Sequence, residues 1–430
     1  MPLLDSKLSE IDTGNLPANP ESGMKNESES IRGEVSDTDG DSIPGRFSWS
    51  TESFQKRIHF LSANTATPIK ALSGDAPDPS AELLRGNIEQ FIGMTRVPTG
   101  IIGPVWVEGN EAKGKVYVPM ATTEGALISS YNRGARATFL SGGVVSICVA
   151  EAIQRAPAFK FESLHDAGKF VQWVSELLEV FQMIVSQTSR YAILQNLKVH
   201  LEGNVVTLIF AYTTGEAAGQ NMITICTQAI CQFIENHSPV APRHWFIESN
   251  FSGDKKATVS ALHDVRGKKV VAEALLSKKV LGSVLKTTAA EMQLYWQTSV
   301  LGTVQSGGIG LQGHFANGLA AMFLATGQDV ACVAEAANGI TRMEVVENED
   351  LYISVTLPNL VVGTIGGGTG LPTQRECLQL MGCEGPGSAR KLAEIMGAVI
   401  LGGELSIAAA VASHDFVRAH KNLGRKKSKT

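Results

Sequence analysis

A chain of 430 residues, 43% hydrophobic, 18% charged and only 6% aromatic, exceeds the usual size of one domain and is rich enough in small apolar residues to build a core without covalent staples. Lys plus Arg (37) against Asp plus Glu (42) leaves a net charge of −5, and the one dense basic run is Arg425-Lys426-Lys427-Ser428-Lys429, so the charge pattern gives no support to a nucleic-acid-binding role. Six cysteines (Cys148, Cys226, Cys231, Cys332, Cys377, Cys383) have neither CxxC spacing nor a histidine at zinc-ligand distance, which argues against a disulfide framework or a metal site and for a reducing, cytoplasmic setting.

In chain order, residues 1–48 are rich in Ser, Glu, Asp, Gly and Asn and are expected to be a disordered tail. Residues 49–88 read as a small helical element interrupted by Pro68 and the turn-rich Gly74–Pro79 stretch. Thr122 and Thr123 are possible N-caps for a helix expected to begin beside Glu124. Between Pro157 and Phe246 the pattern predicts a helix (Ala167–Gln187), a hairpin (Asn196–Leu201 and Val205–Tyr212 about Gly203-Asn204) and a second helix (Ala218–Asn236), which together read as a self-contained insertion. The flanking segments, 89–156 and 247–424, form the expected large domain, with strands at Lys269–Ala274 and Tyr352–Pro358 and a long Ala-rich helix from Ser388 to Ala419; a basic tail (425–430) follows. The start of the chain lacks a leader pattern, and no run of about 18 strongly apolar residues stands out, so no membrane span is expected. The nearest imitation, Gly302–Met322, contains His314 and Asn317 and reads as a tightly packed site.

The string Gly308-Ile309-Gly310-Leu311-Gln312-Gly313 matches GxGxxG literally, but no strand precedes it and no acid follows at the ribose-binding distance, so a Rossmann fold is not expected. By contrast, Gly363-Thr364-Ile365-Gly366-Gly367-Gly368-Thr369-Gly370 follows a plausible strand and could let backbone approach a phosphate. Gly215–Asn221 stands between strand and helix, where helix amides receive anions. Glu124, Lys255, Asp329 and His420 are ionisable residues in small-residue or apolar surroundings; a mutually paired cluster would be tolerated there.

Taken together, Pro119–Gly125, Asn132-Arg133-Gly134, Asp254-Lys255-Lys256, Gly327-Gln328-Asp329, Glu349–Ser354, Gly363–Thr369 and Gly403–Ser406 resemble, in order, the motifs of class I 3-hydroxy-3-methylglutaryl-coenzyme A reductases, over about Glu89 to His420. The resemblance is to the catalytic portion without the membrane anchor of animal members. It implies an α+β fold: a large α/β domain around a long central helix, with an inserted ferredoxin-like NADPH-binding domain at 157–246. It also implies a homodimer or homotetramer, and reduction of the acyl-CoA to mevalonate and CoA by two hydrides from NADPH, for isoprenoid, sterol or terpenoid synthesis. Alternatives are an NAD(H)-preferring, mevalonate-oxidising enzyme or a diverged paralogue that binds without turnover.

By the same resemblance, Lys255 would stabilise the oxyanion, Glu124 would donate protons to the carbonyl oxygen, Asp329 would bridge the two, and His420 would protonate the CoA thiolate. Arg155 and Lys256 would hold the acyl carboxylate and Asp254 the acyl hydroxyl. CoA would lie near Ser130, Asn132, Arg133, Arg136, Arg266, Lys268, His314, Asn317 and Ser406. NADPH would meet Ser189, Arg190, Glu216, Ala217, Ala218, Gly219, Asn221, Gly366, Gly367, Gly368 and Thr369, with Arg190 the partner of a 2′-phosphate. The chain departs from the family pattern at Glu248 (usually Ser), Thr298 (a Lys that pairs with the acyl carboxylate), Asp415 (a CoA-pocket His, beside His414), Glu216 (usually Asp) and Lys426 (the tail serine phosphorylated in animal members). Glu248 either alters the acyl pocket or turns out to solvent.

Overall fold

In the computed structural model the described residues are 41–45 and 47–413; most of the expected disordered tail, the basic tail, His414, Asp415 and His420 lie outside them. Within them the ordered chain begins earlier than the composition suggested. The Tyr117 hydroxyl donates to the Asp41 carbonyl (2.9 Å) and Arg57 Nη1 to the Gly45 carbonyl (2.8 Å), so residues just before Ser48 are tied down. Helix α1 (Thr51–Thr65) then starts at Ser50, whose hydroxyl accepts the Ser53 N–H.

The larger sheet runs β2 (Lys113–Ala121), β1 (Thr99–Glu108), β3 (Val144–Arg155), β8 (Gly267–Leu276), β10 (Leu351–Leu360), β9 (Ile340–Val345), with β1 and β3 parallel and the other neighbours antiparallel. Strand β10 alternates buried with half-buried side chains over most of its length, as expected of a strand with one face on the core. Against this sheet lies α11 (Ser388–Ala412), the long Ala-rich helix read from the sequence, flanked by α2 (Leu127–Leu140), α7 (Ala289–Ser306) and α8 (Phe315–Thr326). It is long and apolar enough to cross a bilayer, but 83% of its most apolar window is buried within the protein, as befits a core helix. Its approach to α2 depends on glycine: a Cβ on Gly134 would fall 1.8 Å from the Gly402 carbonyl oxygen.

A short α6 (Lys278–Val280) runs into a π turn (Leu281–Leu285), and α9 (Val333–Ala336) and α10 (Pro372–Leu380) complete the large part. Residues 157–246 supply β4 (Ala158–Lys160), α3 (Leu164–Val174), α4 (Leu178–Thr188), β5 (Ile193–Glu202), β6 (Val205–Thr213), α5 (Gln220–His237) and β7 (His244–Phe246). The single helix expected at 167–187 is two helices, parted at Ser175–Leu177. The strands pair antiparallel in the order β7-β4-β6-β5, the fourth, first, third and second of the segment, which is a ferredoxin-like arrangement. Strand β3 belongs to both sheets: Val145–Ala152 pair with β8, and Ile153–Arg155 pair with β6. The mixed helix-and-sheet architecture is the fold class expected.

Candidate active site

Lys255 lies in a tight loop in which Asn250, Gly253 and Lys255 all have positive φ (65°, 72° and 56°). A lysine in the left-handed region is held there against its preference. Its Nζ reaches Asp329 Oδ2 at 2.8 Å. Asp329 caps the turn Val330–Cys332 by accepting the Ala331 N–H (3.1 Å), which fixes its carboxylate. The hydrogen bond that Lys255 donates to Asp329 raises the pKa of Lys255 against its partial burial. For Asp329, burial pushes the carboxyl up, but Lys255 and the Ala331 N–H outweigh it and hold the group ionised. Lys256 is exposed, its Nζ on the Asp254 carbonyl (2.9 Å).

Behind this loop is a chain of buried charge. Arg155, at the end of β3, lies 3.2 Å from Glu248 Oε2 and 3.4 Å from Asp254 Oδ2, and Arg266 pairs with Asp254 and with Glu335. Glu248 therefore points inward: the same oxygen also accepts the Ala156 N–H and the Ser252 hydroxyl. Two expected CoA contacts are corrected here. Arg266 and Lys268 are 4% and 3% exposed, Lys268 being paired with Glu151 and the Val362 carbonyl, so neither presents its charge to a surface ligand. Lys268 is carried inward by β8, with its buried face on the core, and Arg266 lies just before that strand.

Glu124 is exposed and does not adjoin a helical first turn: α2 starts at Leu127, behind Ala126 at φ 72°, and Thr122 Oγ1 accepts the Glu124 N–H instead of capping the helix. Its Oε2 accepts Asn317 Nδ2 at 2.8 Å. Among the described residues no hydrogen bond or ion pair joins Glu124 to Asp329, so the expected bridge is absent in this chain. Ser130, Arg133 and Ser406 do meet: the two serine hydroxyls are 3.0 Å apart, and Arg133 donates to the Ser406 hydroxyl and carbonyl. Asn132 is turned to the Gly103 N–H (3.0 Å), a structural bond, and Arg136 is exposed. His314 stacks on Tyr131 (ring centroids 5.5 Å apart) and is held by Glu404.

The two glycine-bearing segments come together. Thr364 N–H and Ile365 N–H both donate to the Glu216 carbonyl, and a Cβ on Gly363 would lie 2.4 Å from the Ala218 nitrogen, so only glycine permits the approach. Buried Gln328 holds Gly363 by both its N–H and its carbonyl (2.9 Å each), which ties the Asp329 segment to the glycine turn. Gly366 and Gly367, at φ 86° and 57°, have nothing within 4 Å of an added Cβ and line open space, with Gly368 against Gly327 and Thr369 bonded back to Gly366. Helix α5 starts behind Gly219 with no side-chain cap, so its first amides, near Asn221, are available to an anion. Ser189 closes the turn after α4 by accepting two N–H groups, and Arg190 beside it is exposed. Glu216 is different from expectation: its carboxylate accepts the Gly387 and Ala389 N–H groups (2.7 Å each) and so caps α11, leaving no oxygen turned to a ligand at that point. The GxGxxG string is a loop between α7 and α8, as its neighbours suggested.

Residues not singled out in the sequence are prominent here. Glu335 lies under Lys255, and Glu404 holds His314; Glu394 in α11 accepts the Glu111, Ala112 and Cys148 N–H groups, and Glu376 those of Lys70, Ala71 and Leu72. Glu335, Glu394 and Glu404 are lone acids in apolar or small-residue runs, the signal that points to Glu124 and Asp329; Glu376 stands in a polar stretch beside Arg375.

The family model for hydroxymethylglutaryl-coenzyme A reductase matches residues 53–425. Similar relatives include the 3-hydroxy-3-methylglutaryl-coenzyme A reductases of Pyrococcus horikoshii (42% identical, over 81% of this chain and 86% of the relative) and Aeropyrum pernix (44%, over 80% and 83%). Among solved structures, the class II 3-hydroxy-3-methylglutaryl-CoA reductase of Streptococcus pneumoniae bound to NADPH shares the fold at TM-score 0.67 and 21% identity, over 85% of this chain and all of that one. With a profile spanning most of its length and relatives above 40% identity, the chain belongs to the hydroxymethylglutaryl-coenzyme A reductase family.

Proposed function

We propose that the chain reduces 3-hydroxy-3-methylglutaryl-CoA to mevalonate and CoA at the expense of two NADPH, within isoprenoid synthesis. The observation that carries this reading is the Lys255–Asp329 pair (2.8 Å) on a strained loop, joined through Gln328 to the open glycine turn. Bound NADPH supplies the hydride. The Lys255 ammonium, kept charged by Asp329, offers positive charge where the acyl carbonyl oxygen becomes anionic. Glu124, steadied by Asn317, is assigned proton delivery to that oxygen, and His420, outside the described residues, is assigned the thiolate. Arg155 and Lys256 receive the acyl carboxylate and Asp254 the hydroxyl, with Ser130, Arg133, Arg136, His314 and Ser406 toward CoA.

The residues present fit a phosphorylated dinucleotide. The uncapped start of α5 and the open Gly366-Gly367 pair suit its phosphates, and exposed Arg190 with Ser189 suits a 2′-phosphate. We assign this role to the inserted segment 157–246, the class I branch to the chain on its ordered motifs, and a homodimer or homotetramer to the assembly. Purified protein should consume two NADPH per acyl-CoA and use NADH poorly. Absence of turnover by folded protein would favour a binding paralogue, and NADH preference would favour the mevalonate-oxidising direction.

A further inference from the structure

Beneath the Lys255 loop lies a carboxylate that this chemistry leaves unassigned. Asp329, Cys332 and Glu335 recur at every third residue through the turn Val330–Cys332 and α9, a spacing that places them along one face. Asp329 meets the Lys255 ammonium, and Glu335 Oε1 accepts the Lys255 backbone N–H at 3.2 Å; Cys332 between them accepts Gln220 Nε2 at 3.0 Å. Glu335 is 1% exposed, and its Oε2 lies 2.9 Å from Arg266 Nε, too poorly aligned to count as a hydrogen bond. Arg266 reaches Asp254, and Arg155 joins Asp254 to Glu248.

We propose that Glu335 is a positioning residue for Lys255, holding its backbone in the left-handed turn, and that through Arg266, Asp254 and Arg155 it exchanges a proton with the binding of an acyl carboxylate. The inference rests on the reading of Lys255 and Arg155 given above. Three carboxylates (Glu248, Asp254, Glu335) face two guanidiniums (Arg155, Arg266), so the fully ionised group carries one negative charge in excess, all of it at least largely buried. Glu335 Oε2 and Glu248 Oε1 have no hydrogen-bond partner among the described residues, which leaves each a place for a proton. Glu335 is the better one. Burial pushes its carboxyl up to about 7; Arg266, the Lys255 N–H and Cys332 oppose the rise, and Asp254 adds to it. From the elements around it, it faces Arg266 on the approach to β8, Asp254 and Lys255 on the loop, and Cys332 on its own segment, with Asp329 and Arg155 one step further. A carboxylate arriving at Arg155 adds a second negative charge to the group and so favours protonated Glu335.

The test is calorimetric titration of the full chain near pH 7 with 3-hydroxy-3-methylglutaryl-CoA, and with CoA, which lacks the acyl carboxylate, in buffers of different ionisation enthalpy. Wild type should take up more protons with the acyl-CoA than with CoA, and Glu335→Gln should abolish that difference. In turnover, the wild-type KM for acyl-CoA should climb as pH rises through about 7, a slope that Glu335→Gln removes while the KM for NADPH stays put. Glu335→Leu, which strands the Lys255 N–H, should lower kcat at least tenfold, and Glu335→Gln, which keeps an acceptor oxygen, should recover most of it. Equal proton uptake and pH slope in wild type and Glu335→Gln, or wild-type kcat in folded Glu335→Leu, would overturn the proposal. If folded wild type binds no acyl-CoA, the function assigned to the chain fails first and takes this inference with it.

Discussion

Glu404 grips His314 twice: its Oε1 accepts the His314 backbone N–H at 2.7 Å and lies 3.0 Å from the ring Nδ1. Because ionised Glu404 can only accept, the ring proton of this bond sits on Nδ1. The other carboxylate oxygen accepts the Gly313 N–H (2.7 Å) and the Thr341 hydroxyl (2.8 Å). A single buried acid on the central helix thus fixes the loop that leads into α8.

Replacing that acid should be costly. Glu404→Ala strands these donors, at about 1–3 kcal/mol for each that stays dry, so an overall loss of at least about 3 kcal/mol is expected in urea unfolding at pH 7. Burial works to raise the Glu404 pKa, but His314 and the two N–H groups win and hold it below the usual carboxylate value. Its stabilising effect is therefore complete above the unfolded-state value and is lost as pH falls through the lower folded one. Wild type should lose stability on that acid limb, and the limb should be shallower in the variant.

Lys255→Met removes the cation and keeps most of the stem. The expected loss in kcat is on the order of 10²–10³. Because both partners of the pair are nearly half exposed, the melting point should move little, by less than about 1 kcal/mol in stability. Turnover near wild type would refute the role assigned to Lys255.

Glu248 occupies Arg155 in advance of any substrate. Glu248→Ser should therefore lower the KM for the acyl-CoA and leave the KM for NADPH unchanged, since the competing anion is gone. Two like charges a few ångströms apart repel by up to about 4 kcal/mol at an effective dielectric near 20. Thr298, which bonds back to the Leu294 carbonyl on an exposed face of α7, offers no compensating charge. An unchanged KM would mean that the acyl carboxylate is held away from Arg155.

Gln328→Leu tests the link between the lysine-bearing site and the glycine turn. It deletes both bonds to Gly363 and leaves that N–H and carbonyl buried, a penalty of about 1–3 kcal/mol. The KM for NADPH should rise more than that for the acyl-CoA. Equal effects on both would indicate general loosening.

Several elements were readable in the sequence because their signals are local: the alternation at Asn196–Leu201, the Gly203-Asn204 turn, the apolar run Val205–Tyr212, and the long Ala-rich run of Ser388–Ala412. Motif order brought Lys255, Asp329 and the glycine turn into view. What it concealed is which charges face inward. Arg266 and Lys268 look like ligand-binding residues by position, yet one precedes and the other lies in a mid-sheet strand, and Asp254, Glu335 and Glu151 neutralise them. Glu335, Glu394 and Glu404 stand in apolar runs that could have been read as warnings, but their N–H donors come from segments tens to hundreds of residues away. The break at Ser175–Leu177 was equally hidden, since apolar spacing continues across it.

Arg155 is the last residue of the one strand shared by both sheets, three residues beyond Ala152, where pairing with β8 gives way to pairing with β6. A tilt of the smaller sheet relative to the larger would therefore be delivered as torsion at the guanidinium expected to grip the acyl carboxylate. Grip on the acid and the pose of the layer to which NADPH binding is assigned would become one mechanical variable, so substitutions in the β6 hairpin, away from Arg155, should change the affinity for the acyl group.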